Sequence, residues 1–76
     1  MKELISYIAK SLVDQPDAVQ VNVTEQDDTV LIELSVAKED LGKVIGKQGR
    51  TARAMRSLLA AVAGKVNKRS RLEIME

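Results

Sequence analysis

Apolar and polar residues alternate in two consecutive segments, and this alternation is the feature that most restricts the fold of the chain. In residues 18–25 every second residue from Val19 to Val23 is apolar, and residues 29–36 continue the same two-residue period. This period places the apolar side chains on one face of a β-strand. The polar residues 26–28 between the segments indicate a short turn. We therefore expect two strands that pair as an antiparallel hairpin with one buried face.

Helical periodicity surrounds this hairpin. Residues 2–13 carry apolar residues at spacings of three and four, which predicts a helix with one buried face. After the hairpin, the same spacing predicts a short helix at 38–45 and a longer helix at 50–63, with Gly64 just past its end. Alternation returns in residues 69–75, which are expected to form a third strand.

The order of these elements, α-β-β-α-α-β, predicts an α+β fold with two layers. The connection between the second and third strands contains two helices and about 30 residues, which makes these strands parallel if they are neighbours. We therefore expect a three-stranded mixed sheet that is covered on one face by three helices. A chain of 76 residues is the size of one small domain, so residues 1–76 are expected to form a single unit.

Missing residue types exclude several kinds of site. The chain has no Cys and no His, so it has no disulfide, zinc–thiolate site, thiol nucleophile or His-dependent triad. No apolar run approaches the roughly 20 residues of a membrane span, and the first residues do not resemble a signal peptide. We therefore expect a cytoplasmic binding protein with no catalytic residues, no metal or other cofactor, no membrane span and no small-molecule substrate.

The charges are divided between the two halves of the chain. Residues 1–40 contain three basic and nine acidic residues, a net charge of −6, whereas residues 41–76 contain nine basic and two acidic residues, a net charge of +7. No acidic residue occurs between Lys43 and Arg71. This asymmetry favours a surface that faces a polyanion. On charge alone, a solvated basic face balanced by an acidic one is an equally good alternative.

Two glycines, Gly46 and Gly49, bracket two polar residues at the junction between the second and third predicted helices. Glycine permits a tight turn and the close approach of another backbone. The turn also leads into a helix N-terminus, which favours an anion. The cations expected at or around this corner are Lys43, Lys47, Arg50, Arg53 and Arg56. The G-x-x-G motif alone favours a simple helix corner, but with this charge around it we predict that a phosphate backbone binds there.

The order of elements and the sequence from Ile45 to Gly49 resemble a KH domain of the type II topology, in which an N-terminal helix and strand precede a β-α-α-β core. The resemblance covers essentially the whole chain. The run from Gly46 to Arg56 is similar to the small stand-alone bacterial KH proteins of the KhpA group. It implies that the G-x-x-G loop clamps the backbone of about four nucleotides of single-stranded RNA with little sequence selectivity.

The resemblance implies roles for individual residues. Lys47 and Gln48 would be the clamp residues, because the glycines on either side would let the phosphate backbone approach. Leu31 or Glu33, on the outward face of the second strand, would lie opposite an aliphatic floor for the bases. That floor would consist of Val44, Ile45 and Ala52. Many KH domains have a larger aliphatic residue in place of Ala52, so this floor is expected to be shallow.

The resemblance also implies partners. Single-stranded RNA would be the ligand, and the protein would act as a post-transcriptional regulator or an RNA chaperone. The alternative is a protein-interaction module that forms a homodimer, or a heteromer with a second KH-domain protein, in the control of cell growth. The basic corner and the division of charge favour RNA as the main ligand.

Overall fold

The computed structural model describes residues 1–75, and its helices and strands follow the predicted order. The strands are β1 (Gln20–Gln26), β2 (Thr29–Ser35) and β3 (Arg69–Met75), and the helices are α1 (Lys2–Leu12), α2 (Leu41–Ile45) and α3 (Arg50–Gly64). Short 3₁₀ turns precede β1, α2 and α3, at Pro16–Ala18, Lys38–Asp40 and Lys47–Gly49. Within residues 1–75, no helix is long and apolar enough to cross a bilayer.

β2 is the central strand of a three-stranded sheet. It pairs antiparallel with β1 and parallel with β3, which confirms the mixed sheet expected from the order of elements. The register places Gln26 opposite Thr29, so only Asp27 and Asp28 form the turn between β1 and β2. Asp27 has a φ of 55°, the positive value that two-residue hairpin turns require at their first position. The chain thus has the predicted α+β type II KH fold, with α1 against β1 and α3 against β3.

β2 also supplies the centre of the core. Its alternate residues Val30, Ile32 and Leu34 are at most 2% exposed, and Val36, just beyond the strand, is 4% exposed. The inward positions predicted for this segment are therefore confirmed. Helices α1 and α3 cover these strand residues. Each helix contributes two core residues that are four positions apart and therefore lie on the same face of the helix. These helical core residues are Ile5, Ala9, Met55 and Leu59.

Four apolar residues that the periodicity places on buried faces are substantially exposed: Leu12, Val23, Ile45 and Leu58. Val23 in β1 is 36% exposed and Leu58 in α3 is 41% exposed. Val23 borders an open groove between the start of α1 and the end of α3, where the helical layer does not cover the sheet. Leu58 lies about 100° around the helix from buried Leu59, at the margin of the apolar face. The prediction that these four side chains point into the core is therefore wrong.

The end of α3 also differs from the prediction. Gly64 is the last residue of the helix rather than the residue just past its end. The left-handed residue of the following turn is Asn67, with a φ of 58°, and the Lys68 N–H donates to the Ala63 carbonyl at 2.9 Å. Asparagine tolerates a left-handed backbone better than most residues with a side chain. Asn67 therefore takes the role that the sequence pattern assigned to glycine.

Asp40 is a buried charged residue that the sequence pattern does not mark. Its side chain is 1% exposed, and its two oxygens accept hydrogen bonds from the backbone N–H groups of Asp14, at 3.2 Å, and Gln15, at 2.9 Å. Lys43 Nζ lies 3.7 Å from Asp40 Oδ1. These contacts fasten the segment after α1 to the beginning of α2. This carboxylate is therefore one of the contacts that fix the position of α2 in the helical layer.

We predict that Asp40→Ala lowers the free energy of unfolding by about 1–3 kcal/mol, because two partly buried backbone N–H groups lose their acceptor. Urea unfolding followed by circular dichroism measures this change. Asp17→Ala, which removes an exposed carboxylate from the neighbouring 3₁₀ turn, is the control and should change stability by less than about 0.5 kcal/mol. Equal losses in the two variants would contradict the role given to Asp40.

Candidate nucleic-acid interface

The corner between α2 and α3 has a positive φ at three of its four residues: 79° at Gly46, 57° at Gln48 and 73° at Gly49. The Gly46 N–H donates to the Gly42 carbonyl at 2.9 Å, and the Gly49 N–H donates to the Gly46 carbonyl at 3.1 Å. The first bond closes α2 at Ile45, as predicted, and the second closes a 3₁₀ turn that leads directly into α3. The corner is thus a hydrogen-bonded turn with a defined shape.

The two glycines of the corner are required for different reasons. A Cβ atom at Gly46 would overlap the side chain of Thr51 and lie 2.8 Å from the Thr51 backbone nitrogen. A Cβ atom at Gly49 would meet nothing within 4 Å. At Gly46, the close approach predicted from the motif is therefore made by the first turn of α3 itself. At Gly49, in contrast, the position of a Cβ atom is open to another molecule.

Two polar side chains project from the apex of this corner. Lys47 and Gln48 are both exposed, and Gln48 Oε1 accepts a long hydrogen bond of 3.4 Å from Arg50 Nη2. Arg50 is the first residue of α3, where its backbone N–H donates to the Lys47 carbonyl and the helix dipole favours an anion. The structure thus brings a lysine and an arginine together at the start of a 15-residue helix.

The predicted arginines of α3 follow at intervals of three residues. Arg50, Arg53 and Arg56 are all exposed, and this spacing places them along one broad side of the helix. Arg56 Nη2 donates a long hydrogen bond of 3.5 Å to the Leu72 carbonyl of β3. Within residues 1–75, none of these arginines forms an ion pair with a carboxylate. Their charges therefore remain available to a bound anion.

Lys43, the fifth cation predicted around the corner, is directed to the other end of α2. Its ammonium group forms an ion pair with Asp14 and lies 3.7 Å from Asp40, three residues earlier in the chain. The hydrogen bond to Asp14, together with the attraction of both carboxylates, raises the pKa of Lys43 above its usual value of 10.5. Because the folded pKa is the higher one, this stabilisation is complete at neutral pH and is lost only as the pH rises past both values. In this structure Lys43 therefore links the segment after α1 to the start of α2.

The aliphatic residues near the corner divide between core and surface. Val44 is 0% exposed and Ala52 is 3% exposed, whereas Ile45 is 37% exposed. Val44 and Ala52 therefore support the corner from beneath, and Ile45 is the aliphatic side chain that the surface presents. Glu33 and Leu31 alternate with the inward residues of β2, so they point to the sheet face without helices. Their outward orientation is therefore confirmed, but the expectation that they lie opposite the floor of Val44, Ile45 and Ala52 is wrong.

The strand that faces α3 is β3, at the edge of the sheet. An open groove runs between the two elements and is lined by Arg56, Ala60, Ser70, Arg71 and Leu72. The sequence pattern correctly places Leu72 inward, but it contains no signal for which strand forms the edge beside α3. The groove and the presence of Arg71 in it follow from the order β1-β2-β3 in the sheet.

We predict that alanine is tolerated differently at the two glycines. Gly49→Ala should cost about 1–2 kcal/mol, because it places a Cβ in a left-handed conformation but meets no atom. Gly46→Ala should cost about 1–3 kcal/mol in backbone strain and roughly as much again because Thr51 must move. Gly49→Asn is a further control and should lie close to the wild type. Equal urea midpoints for the two alanine variants would contradict the difference between the glycines.

Comparisons with known proteins agree with this fold. The family described as KhpA/KhpB, KH domain, matches residues 2–74. A relative from Chlamydia pneumoniae named RNA-binding protein KhpA is 53% identical over 76 residues, which cover 100% of this chain and 97% of the relative. Proteins with the same name from Clostridium acetobutylicum and Caldanaerobacter subterraneus are 55% and 56% identical over 75 residues, which cover 99% of this chain and 100% of each relative. The chain therefore belongs to the KhpA/KhpB family of KH domains.

Proposed function

We propose that this protein binds single-stranded RNA at the corner between α2 and α3 and that it catalyses no reaction. The observation that carries the proposal is the exposed turn Lys47-Gln48-Gly49, which opens into an arginine-bearing helix. Its relatives, which are at least half identical over nearly the whole chain, are named RNA-binding proteins. A polyanion is the ligand that such a concentration of cations fits best.

The phosphodiester backbone lies against the open side of the corner, at Gly49. Without a side chain there, a phosphate can approach the start of α3 closely, where the helix dipole favours it. Lys47 and Arg50 add full positive charges at the same position. Gln48, which accepts the hydrogen bond from Arg50, orients that guanidinium. The binding free energy therefore comes mainly from the phosphate backbone, which is common to every RNA sequence.

Base selectivity is low because the corner offers few groups that distinguish bases. The single aromatic residue of the chain, Tyr7, lies on α1. Bases therefore have no ring to stack on at the corner, and Ile45 offers only non-specific apolar contact. A protein that holds short stretches of RNA without reading their sequence is suited to act as a post-transcriptional regulator or an RNA chaperone in the cytoplasm.

We predict that the double variant Lys47→Asp with Gln48→Asp lowers RNA affinity more than about ten-fold, because it reverses the charge where the phosphate binds. Fluorescence anisotropy with an unstructured oligouridylate measures the affinity. For the wild type, the logarithm of the binding constant should fall with the logarithm of salt concentration with a slope of roughly −2 to −3, as expected for three or four neutralised phosphates. Circular dichroism should show an unchanged fold.

The matched control for this experiment is Lys10→Asp with Gln20→Asp, which makes the same charge change at exposed positions on α1 and β1. This control should keep most of the RNA affinity. Undiminished binding by the folded corner variant would refute the proposal. An equal loss in both double variants would show that only net charge matters, and would refute the clamp.

Exposed apolar residues favour a second function, association with another protein. Leu58 in α3 is 41% exposed and Tyr7 in α1 is 73% exposed. Leu58 and Arg56 are two residues apart in the same helix, so they point to nearly opposite sides of it. We propose that this apolar side of α3 pairs with a second copy of the chain or with a second KH-domain protein. Such pairing leaves Arg56 free for RNA, because it lies on the side of α3 away from Leu58.

We predict that Leu58→Asp converts any dimer to a monomer, because it places a charge in an apolar contact while removing little from the core of each chain. Size-exclusion chromatography with light scattering measures the oligomeric state. Ser57→Asp, which adds the same charge at an adjacent exposed position, is the control and should leave a dimer intact. A Leu58→Asp protein that remains dimeric would exclude this side of α3 as the interface.

A further inference from the structure

We propose that the ion pair between Lys43 and Asp14 is an autoinhibitory contact that holds an RNA-binding lysine away from the corner in the free protein. When RNA reaches the corner, the Lys43 ammonium group exchanges the Asp14 carboxylate for a phosphate. The cost of breaking the ion pair lowers RNA affinity. This inference rests on the proposed RNA binding and adds its regulation by the segment between α1 and β1.

Lys43 lies one helical turn before the corner. It precedes Gly46 by three residues, and residues at this spacing are neighbours on a helix surface. Its flexible four-carbon stem lets the ammonium group turn toward either end of the five-residue helix α2. In the structure it turns toward the start of α2, where it meets Asp14, a residue 29 positions away in the sequence. A change of side-chain rotamer turns the same group toward the corner.

The charges around α2 make this exchange dependent on RNA. The side chains of Lys43 and Asp14 are 42% and 78% exposed, so water and salt screen their attraction. Without RNA, Lys47 and Arg50 repel a third cation from the corner, whereas Asp14 and Asp40, which lies 3.7 Å from Lys43, attract it. A phosphate bound at the corner neutralises the two cations there and attracts Lys43. The preferred position of the lysine therefore changes when RNA binds.

The segment after α1 stays attached to α2 when Lys43 leaves. Asp40 accepts hydrogen bonds from the backbone N–H groups of Asp14, at 3.2 Å, and Gln15, at 2.9 Å. Gln15 Nε2 also donates to a carboxylate oxygen of Glu39 at 3.2 Å. None of these bonds uses the lysine. The exchange therefore frees a cation for RNA while the hydrogen bonds that fix the start of α2 remain.

The test compares Asp14→Asn with Asp17→Asn by fluorescence anisotropy, using an octanucleotide of uridine. Both substitutions remove one negative charge and keep the size of the side chain. Asp17 is the matched control because it is exposed in the 3₁₀ turn that follows and forms no ion pair in the part of the chain that the structure describes. Asp14→Asn should raise RNA affinity roughly two- to four-fold, whereas Asp17→Asn should stay within about 1.5-fold of the wild type.

The salt dependence and a double-variant cycle identify the cation that is released. Asp14→Asn should increase the magnitude of the salt slope by up to about 0.7, the contribution of one further phosphate. Lys43→Gln should weaken binding two- to four-fold more in the Asp14→Asn background than in the wild-type chain, because only there is the lysine free without breaking an ion pair. A purely structural ion pair predicts the opposite sign, since a loosened α2 would weaken RNA binding.

Equal affinities of Asp14→Asn and Asp17→Asn would overturn the autoinhibitory contact, as would a lower affinity of Asp14→Asn than of the wild type. A gain that Asp14→Asn still produces in the Lys43→Gln background would also overturn it, because the released cation would then not be Lys43. Circular dichroism checks that every variant is folded. Failure of the proposed RNA site is detected separately, because Lys47→Asp with Gln48→Asp would then bind the octanucleotide as tightly as the wild type.

Discussion

The contact between Gly46 and Thr51 is the constraint on which the rest of the site depends. With a φ of 79° and the Thr51 nitrogen 2.8 Å from where a Cβ would lie, the chain passes from α2 to α3 within four residues. This tight passage forces Lys47 and Gln48 outward at the apex. A side chain at Gly46 would displace the first turn of α3 and, with it, Arg50. The same constraint therefore sets both the helix packing and the position of the charges.

α2 is too short to be stable as an isolated helix, because its five residues barely exceed one turn. It is held by tertiary contacts along its whole length: hydrogen bonds to Asp40 at its start, burial of Val44 in its middle and the packed glycine at its end. Because the corner follows α2 directly, these contacts also fix the position of the corner. A change at Asp40, far from any proposed RNA contact, would consequently act on the corner through α2.

How well the sequence predicts the structure depends on how local the relevant interactions are. The alternation in β2 is correct at every inward position because a central strand is covered along its whole length. The same reasoning fails at Val23 and Leu58, since the width of the helical layer is decided by tertiary packing. The glycines identify the corner because a positive φ is a local property. The partner of Lys43, in contrast, is 29 residues away in the sequence, so its role in the fold could not be predicted.

Folding turns the linear division of charge into a spatial one, and this division accounts for the kind of binding we propose. Some acidic residues of the first half lie in the hairpin turn and on the sheet face without helices, where they repel polyanions. Others form ion pairs with Lys43 and Lys68 and neutralise these lysines. Among residues 1–75, the arginines of α3 form no ion pair with an acidic residue. Because α3 carries no aromatic residue, the attraction at these arginines is almost wholly electrostatic. Binding by this surface should therefore weaken steeply with salt and depend on RNA length more than on base sequence.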